Sequence, residues 1–109
     1  MKPARLRPLA KQDLSDQAYY YAVEGGMRLG QQFEDAALES LREIERMPGL
    51  GSPRLGIELG LPGLRAWRSA KFPLSWFYFE RPDHLDVVRL VPHKRDIAAM
   101  LGDDDSTLD

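Results

Sequence analysis

The chain has no cysteine, which excludes disulfide staples, thiolate nucleophiles and cysteine metal ligands together. A secreted domain this small often depends on disulfides, so their absence points towards the cytoplasm. No apolar run approaches the roughly 20 residues that span a bilayer, so no membrane partner is expected. The basic opening, residues 1–11, is broken by Pro3, Pro8 and Lys11 and does not read as a signal peptide. Histidine is scarce, and the two present, His84 and His93, show no metal-ligand spacing. His84 reads as a turn residue and His93 as a strand-end residue whose pKa would suit acid–base work. The serines lie in no nucleophile elbow or triad context. The glycines make no phosphate loop, because G-x-x-x-x-G-K-[ST] does not occur. No metal and no cofactor are expected.

What is present is an ordinary globular mixture. The 109 residues, 43% hydrophobic and 29% charged, fit one domain with a single modest core. A net charge of −2 conceals an asymmetry. Residues 12–47 hold eight acidic and three basic side chains, whereas residues 54–95 hold eight basic and four acidic. The end turns acidic again at Asp103, Asp104, Asp105 and Asp109. Such an imbalance is either a solvated surface or a basic face for an anionic partner, nucleic acid or an acidic protein tail. Whether the chain touches nucleic acid directly stays open at this point.

Periodicity places the elements. Residues 4–6 read as a short edge strand stopped by Pro8. A helix over residues 9–24 carries Leu14, Ala18, Tyr21 and Ala22 on one face and Asp13 near its first turn, where the helix dipole favours a carboxylate. Gly25 and Gly26 end it. A second helix over residues 27–47 has a stripe of Leu29, Phe33, Ala37, Leu41, Ile44 and Met47. So short a link allows only an antiparallel helix hairpin. Residues 49–63, with five glycines and two prolines, read as a surface connector. Three strands follow, over residues 64–70, 74–80 and 85–91, with a turn at Arg81-Pro82-Asp83. The middle strand, Leu-Ser-Trp-Phe-Tyr-Phe-Glu, looks buried on both faces. A short helix over residues 95–101 presents Ile97, Met100 and Leu101. The expectation is an α+β domain over residues 1–101, with an acidic, flexible tail over 102–109.

The cations of this later segment, Arg65, Arg68, Lys71, Arg89, Lys94 and Arg95, are the best functional candidates. Arginine clamps phosphates or carboxylates bidentately, although Glu80, Asp86 and Asp96 are available as internal partners. The three tyrosines Tyr19-Tyr20-Tyr21 span about 200° of a helix, so they cannot all face one side.

Three segments carry a resemblance: Leu61-Pro62-Gly63-Leu64-Arg65-Ala66-Trp67, then Phe72-Pro73 before the aromatic strand, then Arg89-Leu90-Val91-Pro92-His93-Lys94-Arg95-Asp96-Ile97. In order and spacing the chain resembles the ParE/RelE toxin superfamily over residues 4–101, and its ParE branch above all. It departs from the pattern at His93, which is followed directly by Lys94 and Arg95, and at Pro92, where a smaller or aliphatic residue is more common. The resemblance implies a helix hairpin on a twisted antiparallel sheet closed by a short C-terminal helix. It implies the toxin of a type II toxin–antitoxin pair, neutralised by a ParD-like antitoxin. ParE-like members are associated with inhibition of DNA gyrase, RelE-like members with ribosome-dependent mRNA cleavage.

Chemistry separates the branches. Cleavage through a 2′-OH needs a group to activate the hydroxyl and cations to stabilise the phosphorane. After Asp96 the segment Ile97-Ala98-Ala99-Met100-Leu101 has no titratable side chain, which weighs against an enzyme. The favoured expectation is a non-catalytic gyrase-binding toxin. Its target surface would be Arg65, Arg68, Arg89, Lys94 and Arg95. Its antitoxin surface would be Tyr19, Tyr20, Trp67, Ile97, Met100 and Leu101. Were it a ribonuclease, Arg65, Arg68, His93 and Arg95 would carry the reaction. A third reading is a non-toxic binding module on the same fold.

Overall fold

The structure, a computed structural model, describes residues 1–102, so most of the acidic tail expected over 102–109 lies outside the described residues. The order is β1 (Ala4–Leu6), α1 (Pro8–Gly25), α2 (Met27–Arg46), a 3-10 turn (Pro48–Leu50), α3 (Arg54–Glu58), β2 (Leu64–Arg68), β3 (Leu74–Glu80), β4 (Leu85–Pro92) and α4 (Ile97–Gly102). Pro8 opens α1, where its missing N–H costs nothing. Gly26, at φ 94°, supplies the left-handed turn between the helices. The helices then cross closely at Gly30, where a Cβ would lie 2.9 Å from the Ala18 carbonyl oxygen and 2.9 Å from Ala22 Cβ. Phe33, Ala37, Leu41 and Ile44 form the buried stripe of α2, but Met47 falls outside it because the helix has ended by then and its side chain is exposed. The expected connector is partly ordered as the 3-10 turn and α3.

The four strands lie in the order β1-β4-β3-β2. The three consecutive strands are antiparallel, as the resemblance implies, whereas β1 joins β4 in parallel and makes the sheet mixed. Lys2 binds Glu80 (2.8 Å), and Arg7 binds Asp86 through both oxygens (2.9 and 2.8 Å), fastening this edge. The hairpin covers one face of the sheet, over Leu74, Trp76, Tyr78, Leu85, Val87 and Leu90. α4 and the residues around α3 cover the other, over Leu64, Phe77, Val88 and Val91. Cover on both faces explains why β3 is apolar at successive positions rather than alternate ones. None of the described helices is long and apolar enough to cross a membrane.

β1 is too short to pair with all of β4. Beyond Val87 the edge of β4 is met by α1 instead. Asp13 accepts the Leu90 N–H (3.0 Å) and binds Arg89 at Nε (2.7 Å) and Nη2 (2.9 Å). Arg89 also donates to the Met100 carbonyl (2.7 Å), so one buried guanidinium joins α1, β4 and α4. The shift of register between Phe77 and Tyr78 leaves Val88 as the extra residue of a bulge beside it.

Candidate functional site

The β2–β3 loop is pinned under the hairpin by Phe72, whose ring meets Tyr21 at 5.0 Å and Phe33 at 5.3 Å. Lys71 stands exposed at its tip with φ 69°, the one non-glycine residue with positive φ among the described residues. A lysine held in the left-handed region stores strain, and such outliers gather at binding sites. It separates two grooves. One, of about 490 Å³, is lined on the α2 side by Asp35, Glu39 and Glu43. The other, of about 670 Å³, lies between α1 and the ends of β3 and β4, lined by Asp16, Gln17, Tyr20, Tyr21, Lys71, Phe72, Pro73, Pro92, Lys94 and Arg95. The charge asymmetry of the sequence therefore becomes two adjoining surfaces of opposite sign. Burial, then the neighbouring Tyr20, raises the Tyr21 pKa, so this wall of the basic groove stays neutral at physiological pH.

At this end of the sheet, two strands and the turn after β4 each contribute a polar residue. Arg68 of β2 and Ser75 of β3 are register partners, and Ser75 pairs in turn with Val91 of β4. His93 lies two residues further on, its backbone N–H held by the Pro73 carbonyl (2.9 Å). Its ring sits between Ser75 Oγ, 2.8 Å from Nε2, and Arg68 Nη1, 3.3 Å from Nδ1. A guanidinium only donates, so Nδ1 accepts and the ring proton resides on Nε2, directed at Ser75. Desolvation, then repulsion from Arg68, lowers the His93 pKa below the usual histidine value.

The predicted target surface is thus divided. Arg68, Lys94 and Arg95 are exposed at this end and make no ion pair among the described residues. The carboxylates that offered internal partners are engaged elsewhere: Glu80 with Lys2, Asp86 with Arg7 and Arg81, and Asp96 with the Ala99 N–H (3.1 Å) at the start of α4. Arg65 turns towards the connector and binds the Gly51 carbonyl (2.6 Å), near where Tyr78 accepts from the Gly51 N–H (2.9 Å) and donates to the Pro48 carbonyl (2.7 Å). Arg89 does not belong to the surface, since it is 7% exposed and bound to Asp13. Asp13, which the sequence suggests as a dipole partner for its own helix, is the buried counter-charge instead.

The predicted antitoxin surface is divided too. Tyr19 and Tyr20 are exposed on α1, next to Val23 and Met27. Trp67 is half-buried, its Nε1 donating to Glu43 (3.2 Å). Ile97 and Met100 pack on the opposite face of the sheet, and Leu101 there is buried, which withdraws it from any partner. Ser75, Phe72 and Asp16 were not singled out as site residues. Ser75 becomes visible only through the β2–β3 register. Among the described residues no group of three His, Asp or Glu side chains could hold a metal ion.

The model of the ParE toxin of the type II toxin–antitoxin system parDE matches residues 4–97. The chain belongs to the ParE toxin family. The fold agrees: a chain of the chromosomal ParDE TA system from P. aeruginosa superposes with a TM-score of 0.73 at 18% identity, covering 84% of this chain and 96% of that one. A search among curated proteins finds no match. The α+β architecture is therefore that of a ParE toxin, and the family is one of toxin–antitoxin systems.

Proposed function

We propose that this ParE-family chain inhibits DNA gyrase in the cytoplasm by binding rather than by cleavage, and that a ParD-like antitoxin neutralises it. The observation that carries this reading is the engagement of His93. Nδ1 accepts from Arg68 and Nε2–H faces Ser75, so neither nitrogen is free to take a proton from a 2′-OH. Of the would-be ribonuclease set, Arg65 is turned away to the connector. The groove beside Tyr20 and Tyr21, with Lys71, Lys94 and Arg95 on its rim, suits an acidic, partly apolar antitoxin segment. The test is gyrase supercoiling with purified chain. Inhibition at micromolar toxin, relieved by the product of the neighbouring reading frame, is the expected result. Undisturbed supercoiling together with codon-register cuts in translated messages would instead identify a ribonuclease.

A further inference from the structure

We propose that this chain pairs with a second copy of itself about a two-fold axis, the Lys71 tip of each β2–β3 loop entering the acidic groove along α2 of the other. This goes beyond the gyrase reading and stands without it.

The groove is built on α2. Asp35, Glu39 and Glu43 follow at intervals of four residues, so they share one face of the helix and repel one another. Gln31 donates to Asp35 (3.0 Å) and Trp67 Nε1 to Glu43 (3.2 Å). Neither carboxylate lies within ion-pair distance of a cation among the described residues. Glu39 is shared between Arg42 (3.2 Å) and Arg46 (3.4 Å), both exposed, and such surface pairs hold weakly. Ala36, Ala70 and Phe72 also line the groove, so a long cationic side chain entering it can lay its methylenes on apolar surface.

The knob is the loop tip. Phe72 anchors it beneath the hairpin, while Ala70, Lys71 and Pro73 are exposed around the ring. Lys71 borders the acidic groove, yet it forms no ion pair with the carboxylates of its own chain. Opposite charges therefore adjoin on one face and stay unpaired within the chain. A two-fold axis between Lys71 and the α2 groove satisfies both at once. The tip of one copy meets the groove of its partner and the reverse, so the contact is made twice and the assembly closes at two. This doubling is what selects a second copy as the occupant: it carries tip and groove at the matching spacing. The strained lysine thereby has a binding role. A contact of one loop and one groove on each side is small, so a dissociation constant on the order of 10–100 μM is expected.

Sedimentation of the full chain below and above that range tests the pairing. At low salt the chain should pass from monomer to dimer and go no further, and high salt should weaken the dimer at least about tenfold. Lys71→Glu makes tip and groove both acidic, and the double change Asp35→Lys, Glu39→Lys makes both basic. Each, checked for a native spectrum, should weaken self-association at least about tenfold. An equimolar mixture of the two variants should restore the dimer, because every acidic tip then meets a basic groove and every basic tip an acidic one. That recovery also shows that neither variant has merely lost its fold. A chain that stays monomeric at the highest concentration, self-association that both variants leave unchanged, or natively folded variants that fail to pair when mixed would overturn the proposal. Growth beyond the dimer would overturn the two-fold arrangement. A monomer whose α2 groove instead binds a tetra-arginine peptide would overturn the assignment to a second copy.

Discussion

Replacing Asp13 with alanine strikes the point where α1, β4 and α4 meet. Asp13 and Arg89 are 9% and 7% exposed, and the carboxylate accepts three hydrogen bonds, two from Arg89 and one from the Leu90 N–H. Removal takes the counter-charge from a buried guanidinium, which costs about 3–5 kcal/mol. The Leu90 N–H loses its acceptor as well, but the two losses share one network and are not additive. Domains of this size are stable by only about 5–15 kcal/mol, so Asp13→Ala should give up a large fraction of the total. Urea unfolding followed by tryptophan fluorescence reads it directly, because Trp76 is buried beneath α2 with Nε1 donating to the Ala37 carbonyl (2.9 Å). The double change Asp13→Leu, Arg89→Met removes both charges and should recover at least half the loss. A cost for Asp13→Ala below about 1 kcal/mol, the range of an exposed ion pair, would refute the buried network.

Two further outcomes follow from local geometry. Lys71→Gly relieves a left-handed lysine and should raise stability by about 0.5–1 kcal/mol in the same urea assay, while weakening any anionic partner of the groove; an unchanged or lowered midpoint would show that Lys71 is not strained. The Asp86 pKa is lowered, first by its hydrogen bond from Arg7 and further by Arg81. A depressed carboxylate stabilises the fold above its unfolded pKa of about 3.9 and loses that contribution as pH falls through the folded value. Thermal melts of Arg7→Gln should therefore show a shallower loss of stability below about pH 4 than the parent chain; parallel acid limbs would exclude this pair as the cause.

Helix and strand periods were legible along almost the whole chain. The stripe Phe33, Ala37, Leu41 and Ile44, the glycines between the helices and the apolar run of β3 each carry their signal within a few residues. The order of the three motifs pointed to the ParE family, which the match over residues 4–97 bears out. Local pattern also gathered the cations in the later segment, of which Arg68, Lys94 and Arg95 stand exposed.

Tertiary structure alone decided how each cation is used. Arg65, Arg68 and Arg89 are the same residue type on strands, and nothing local separates one that holds a loop, one that faces outward and one that is buried. The separation came from partners distant in sequence: Gly51 for Arg65, His93 for Arg68, and Asp13, 76 residues away, for Arg89. The parallel pairing of β1 has the same origin, because a three-residue strand has no register preference until β4 supplies one. Periodicity reports which side of an element is apolar. Charge pairing and strand register depend on which distant residues the packed core brings within about 3 Å, and only the folded chain determines that.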